Sequence, residues 1–129
     1  MAEQPPLILI IDDNADHSEI YALYLRSVGF RVVAAADGTS GVGQARALRP
    51  DVILLDLYMP GLNGWQACRR LKTSVETATI PVIALTGHSV EQAGVEAMKA
   101  GCDRFVAKGS DPDRVVQVIR EVLSEQIGG

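Results

Sequence analysis

The chain has 129 residues, 47% of them hydrophobic and 22% charged, with a formal net charge of -4. That is the size and composition of one globular domain with a substantial core, and the negative balance argues against nonspecific binding to nucleic acid or to an acidic membrane surface. No apolar stretch approaches the ~18 residues of a membrane span, and no basic-then-apolar leader is present, so a cytoplasmic domain is expected.

The first apolar run, Leu7–Ile11, has the length and β-branched content of a buried strand and ends in Asp12 and Asp13. A helix follows, with Ile20, Leu23, Tyr24, Ser27 and Val28 as its expected inward face and Gly29 as its stop. Arg31–Ala35 reads as the second strand. Val42, Ala45 and Leu48 mark the second helix, which must end before Pro50. Val52–Asp56 is the third strand, and a third helix runs from about Gly64 to Lys72.

Pro81–Leu85 is the fourth strand, followed by Thr86 and Gly87. Ser89 with Gln92 reads as a capping box that opens a fourth helix, ended by Gly101. Arg104–Ala107 is the fifth strand, followed by Lys108. Asp111 and Pro112 read as the N-cap and first residue of a fifth helix, where Val115, Val118, Ile119, Val122 and Leu123 keep one face. The core is expected over about residues 7–123, as a single domain with loose ends at Met1–Pro6 and Gln126–Gly129. Cys68 and Cys102, far apart in sequence, are expected to be reduced and half-buried, without metal-binding spacing.

Continuously apolar strands alternating with helices imply a parallel sheet covered on both faces. In such sheets ligands bind beyond the carboxyl ends of the strands. Asp12, Asp13, Asp56, Thr86 and Lys108 all fall at such ends. Three carboxylates at close range repel unless a cation sits among them, and Mg2+ with its oxygen ligands is the best match. The amine of Lys108 and the hydroxyl of Thr86 suit an anionic phosphoryl group. The plainer alternative is that the acids cap helices and that Thr86-Gly87 is a turn.

Four motifs in order now resemble one family: Ile10-Ile11-Asp12-Asp13-Asn14, Leu54-Leu55-Asp56-Leu57-Tyr58-Met59-Pro60-Gly61, Ile80-Pro81-Val82-Ile83-Ala84-Leu85-Thr86-Gly87, and Ala100-Gly101-Cys102-Asp103-Arg104-Phe105-Val106-Ala107-Lys108. They are similar to the receiver domain of two-component response regulators. The resemblance implies a flavodoxin-like, doubly wound α/β fold. Its five parallel strands would lie in the order 2-1-3-4-5, with about five helices on the two faces.

The resemblance also implies roles. Asp56 would accept the phosphoryl group. Asp13, Asp56 and the Tyr58 backbone carbonyl would hold Mg2+, with Asp12 acting through a bound water. Lys108 and Thr86 would contact phosphoryl oxygens, and Phe105 would turn inward as Thr86 moves. Side chains at Tyr58 and His88 would flank the phosphoryl group and set its lifetime. The donor would be a histidine kinase or histidine phosphotransfer protein, and the signal would leave by protein–protein contact or onward phosphotransfer. Oligomeric state stays open.

The chain departs from the family at Gly109, where a proline usually follows the lysine, and at Gly87, which is often alanine. His17 reads as a surface residue, Trp65 as helix packing, and Arg69-Arg70 as a solvated face. Two rival functions remain. One is a receiver-like binding module that is never phosphorylated. The other is a Mg2+-dependent phosphatase, which would commonly need a general acid where Tyr58 stands and a cap that this length does not provide.

Overall fold

A computed structural model describes residues 4–87 and 101–128 of the chain. The strands are β1 (Leu7–Ile11), β2 (Arg31–Ala35), β3 (Val52–Asp56), β4 (Val82–Thr86) and β5 (Arg104–Ala107). The helices among the described residues are α1 (Ala15–Ser27), α2 (Gly38–Leu48), α3 (Gly64–Thr73) and α4 (Pro112–Gly128). The expected helix opened by Ser89 lies outside the described residues, so four helices are seen where five were expected.

All strand pairs are parallel and the order is β2-β1-β3-β4-β5. The period-2 alternation of strand side chains divides the core in two. Leu9, Ile11, Ile53, Leu55, Val82 and Ala84 face α2 and α3. Ile8, Ile10, Val52, Leu54, Ile83 and Leu85 face α1 and α4. Both sheet faces are therefore dry, which explains why the strands read as unbroken apolar runs.

Local chemistry sets the helix ends. Asn14 caps α1 by accepting from the His17 amide at 3.1 Å. Asn63 and Gln66 form a reciprocal capping box on α3. Asp111 accepts from the Asp113 amide at 3.0 Å and so caps α4 as expected. α2 ends at Leu48, with Arg49 in the left-handed region at φ 47° ahead of Pro50.

The inward face of α1 differs from the expectation. Ser18, Tyr21, Ala22 and Leu25 are buried, whereas Ile20 and Leu23 are 58% and 60% exposed. The buried set fits the i, i+3, i+4, i+7 template just as well. It carries the small residues Ser18 and Ala22 where the helix backs onto the sheet, and periodicity alone does not choose between two apolar faces. Leu48, expected in the core, is also exposed at the last residue of α2. β4 is offset by one from the expected Pro81–Leu85; Pro81 has no amide hydrogen, but its carbonyl accepts from the Ile53 amide at 3.0 Å. Among the described residues, no helix is long and apolar enough to cross a membrane.

Candidate functional site

Register brings the chemistry together at one edge. Asp56 closes β3 opposite Leu85, and the Leu57 amide donates to the Leu85 carbonyl at 3.1 Å. Thr86 closes β4 opposite Ala107, and the Lys108 amide donates to the Thr86 carbonyl at 2.6 Å. Asp12 follows β1, held by its amide to the Ala35 carbonyl at 3.1 Å. Carboxyl-end positions of four strands thus meet in one crevice.

Carboxylate oxygens of Asp12, Asp13 and Asp56 all lie within 4.8 Å of one another. Asp12 and Asp56 are buried and Asp13 is exposed. Lys108 Nζ donates to Asp56 Oδ2 at 2.9 Å and lies 3.7 Å from Asp12 Oδ1. Asp56 Oδ1 accepts from the Tyr58 amide at 3.0 Å, and Asp12 Oδ1 accepts from the Asn14 amide at 2.9 Å. Asp12 Oδ2 is buried with no hydrogen-bond partner among the described residues. A buried carboxylate oxygen facing two further carboxylates fits a hard cation with oxygen ligands, so the donor set suits Mg2+.

The electrostatics agree. Burial raises the Asp12 carboxyl pKa and the charge of Asp56 raises it further, against the pull of the Asn14 amide and Lys108. For Lys108, burial acts to lower the ammonium pKa. The hydrogen bond to Asp56 and the field of Asp56, Asp12 and Asp13 outweigh it, and the net shift is upward.

Thr86 is fully buried, and Phe105 is half-buried against the α2–α3 side of the core. Tyr58 is 42% exposed, and its ring meets Trp65 edge-on, with centroids 5.0 Å apart and planes at 89°. His88 lies outside the described residues. Gly109 has φ 90°, and no cis peptide occurs among the described residues. A left-handed glycine turns the chain after Lys108 where a proline was the expected residue.

Gly64, expected only as a helix start, has a second role. A Cβ there would lie 2.4 Å from the Asp56 carbonyl oxygen and 2.4 Å from Leu57 Cα, and the Gly64 amide donates to the Leu57 carbonyl at 3.1 Å. α3 therefore rests directly on the backbone that carries Asp56. Only the tertiary approach reveals this need; a glycine after Asn63 looks like ordinary loop chemistry. The cysteines are free thiols, as expected, but buried rather than half-buried, and packing brings their sulfurs into contact.

A five-stranded parallel sheet in this order, with three carboxylates and a lysine at its carboxyl edge, defines a class. The chain matches the response regulator receiver domain family over residues 8–120. It is 40% identical over 119 residues to the protein PilH of Pseudomonas aeruginosa, covering 91% of this chain and 97% of that one. It is 36% identical over 118 residues to the DNA-binding dual master transcriptional regulator RpaA of Synechocystis, covering 92% of this chain and 49% of that one. The chain thus spans about half the length of that relative and nearly all of PilH.

A putative response regulator from Chloroflexus aurantiacus superposes with a TM-score of 0.89 at 30% identity, over 93% of this chain and 98% of that one. The receiver domain of sensor histidine kinase PA1611 from P. aeruginosa has a magnesium ion coordinated in its active site cleft. It superposes with a TM-score of 0.86 at 28% identity, over 93% and 98% of the two chains. The chain belongs to the receiver-domain family of two-component response regulators. Receiver domains accept phosphate from histidine kinases and generally bind Mg2+ at an acidic site.

Proposed function

We propose that this chain is a phosphorylatable signalling switch whose phosphoacceptor is Asp56, with residues 7–123 as its receiver core. The observation that carries the reading is the 2.9 Å contact of Lys108 Nζ with Asp56 Oδ2 inside a cluster of three carboxylates. A buried acid held by a movable amine is a nucleophile with its counter-charge already in place.

A carboxylate oxygen of Asp56 attacks the phosphorus of a phosphohistidine, on a histidine kinase or histidine phosphotransfer protein. A P–O bond forms, the P–N bond breaks, and the imidazole leaves. Such transfers need positioning and charge neutralisation more than covalent help. Lys108 releases Asp56 and follows the charge onto the phosphoryl oxygens. Asp12, Asp13, Asp56 and the Tyr58 carbonyl would hold Mg2+, which when bound neutralises the facing carboxylate and phosphoryl oxygens. The Thr86 hydroxyl turns to donate to a phosphoryl oxygen, and Phe105 takes the space behind it. Tyr58 and His88 limit the approach of water, so the acyl phosphate persists until hydrolysis restores Asp56. The altered surface then contacts a protein target, or the phosphoryl group passes onward.

The test is intact mass after incubation with Mg2+ and acetyl phosphate. One labile phosphate adduct in the wild type, absent in Asp56→Asn with the fold retained, supports the assignment. The same acid-labile adduct in Asp56→Asn would overturn it. Turnover of many phosphomonoesters would favour an enzyme, and no adduct at all would favour a phosphorylation-independent binding module.

A further inference from the structure

Cys68 lies in the middle of α3 and Cys102 lies just before β5, 34 positions apart in sequence. Packing brings them together: the Cys102 thiol donates to Cys68 Sγ at 3.2 Å, and both residues are buried in the same cluster as Leu71, Ile80 and Val82. The surrounding contacts support this pairing. Lys72, one turn along α3, donates to Asp103 Oδ2 at 2.8 Å and to the Ile80 carbonyl at 2.8 Å. Its stem passes so near Gly101 that a Cβ there would lie 3.2 Å from Lys72 Cγ. Asp103 Oδ2 also accepts from the Val82 amide at 2.8 Å. Lys72 of α3 therefore grips the residues on either side of Cys102.

We propose that Cys68 and Cys102 form a redox couple, in which a peroxide converts the two thiols to a disulfide that clamps α3 to the entrance of β5. Cys68 is the attacking sulfur. It is the one that receives the hydrogen bond, and that bond together with the nearby Lys72 charge lowers its pKa against the opposing effect of burial. The hydrogen bond it donates to Cys68, and then burial, push the Cys102 pKa upward, so it keeps its proton until the second step.

The Cys68 thiolate attacks one peroxide oxygen. The O–O bond breaks, the departing oxygen takes a proton and leaves as water, and Cys68 becomes a sulfenic acid. Cys102 sulfur then attacks the Cys68 sulfur. The S–O bond breaks, a second water leaves with the thiol proton, and the S–S bond forms. Two thiols lose two electrons and the peroxide gains them. The sulfurs must close from 3.2 Å to about 2.0 Å. Hydrogen peroxide is small enough to reach a buried pair through local opening, whereas bulky disulfides are excluded. The chemistry stands independently of Asp56. Its consequence for the switch rests on the reading above, because Phe105 follows Cys102 by three residues and packs on the same cluster.

The experiment treats the reduced full chain with equimolar hydrogen peroxide, then denatures it and alkylates free thiols. The expected product is a monomer about 2 Da lighter, with no alkylation, a peptide cross-link between residues 68 and 102, and recovery with dithiothreitol. Its melting temperature should exceed that of the reduced chain. Cys102→Ser should instead trap a dimedone-reactive sulfenic acid at Cys68, and the wild-type peptide map decides the matter if that variant does not fold. Two alkylatable thiols after treatment, or a cross-link only between molecules, would overturn the proposal. An oxidised monomer that melts no higher would overturn the clamp. None of these readouts involves phosphate, so a failure at Asp56 leaves them intact.

Discussion

Lys108 Nζ bridges Asp56 Oδ2 at 2.9 Å and Asp12 Oδ1 at 3.7 Å, and it is the one cation among the described residues to meet both buried acids. It therefore partly offsets a repulsion that the fold otherwise bears. Lys108→Met should destabilise the metal-free chain by about 1–3 kcal/mol, the scale for leaving a buried polar group unpaired. Asp13→Ala should move stability the other way while weakening Mg2+ binding. Urea unfolding with and without Mg2+ measures both. The same sign for the two variants in metal-free buffer would contradict the account.

The pH dependence follows from Asp12. Its pKa is raised in the fold above 3.8, by burial first and by the charge of Asp56 next. Between 3.8 and the raised value the folded chain binds more protons than the unfolded one. This residue's contribution is thus full below 3.8 and is lost as pH rises through the folded pKa. Ion-paired carboxylates with lowered pKa values behave oppositely. Wild type minus Asp12→Asn isolates the effect. Saturating Mg2+ should reverse the slope, because holding Asp12 ionised lowers its folded pKa. A difference curve that is flat across the acidic range without Mg2+ would rule this out.

Gly64→Ala should disturb the site although residue 64 bears no functional group. Its Cβ would meet backbone atoms of Asp56 and Leu57, which do not yield as the tip of a flexible side chain does. Overpacking of this kind costs about 1–3 kcal/mol. Phosphorylation should slow more than in a variant of similar stability loss placed on α4, such as Val118→Ala. Equal rates in the two would reduce Gly64 to a packing role.

The parallel sheet was legible because five apolar runs alternate with helical patterns, and its order was legible only through the family resemblance that the four quoted motifs carry. The acids, Thr86 and Lys108 were legible for the same reason: a residue just past a strand points to the edge, whatever the tertiary detail. The inward face of α1 was not, since Ile20/Leu23 and Tyr21/Leu25 offer two apolar stripes and only docking on the sheet selects one. The Cys68–Cys102 contact and the approach of Gly64 to Asp56 were also hidden. Each joins residues whose proximity depends on how α3 packs, and no local pattern encodes that distance.

Tyr58 and Trp65 form an edge-to-face pair beside the crevice. Such pairs contribute about 0.5–1.5 kcal/mol. Removing the tyrosine ring should free Trp65 and admit water. Tyr58→Ala should shift Trp65 emission and release phosphate several-fold faster, a barrier change of about 1 kcal/mol. Combining it with His88→Ala tests whether the two positions act together. Decay as slow as in wild type would remove the shielding role.

Phosphorylation and signalling should come apart at Thr86. Thr86 closes β4 beside Asp56, and β5 beside it carries Phe105 opposite Ala84. A hydroxyl drawn to the phosphoryl group vacates space on the side where Phe105 is half-buried. The ring is apolar, so inward rotation strands no hydroxyl in the core. The two arrangements need differ by only a few kcal/mol for an aspartyl phosphate to shift the population. Thr86→Ala keeps Asp56, Lys108 and the acids, so it should still accept phosphate from acetyl phosphate. It lacks the hydroxyl proposed to sense the phosphate, so its affinity for a protein target should hardly rise on phosphorylation. Phosphate content and target binding measured on one sample decide the point. A full phosphorylation-dependent gain in Thr86→Ala would show that the signal reaches the surface by another route.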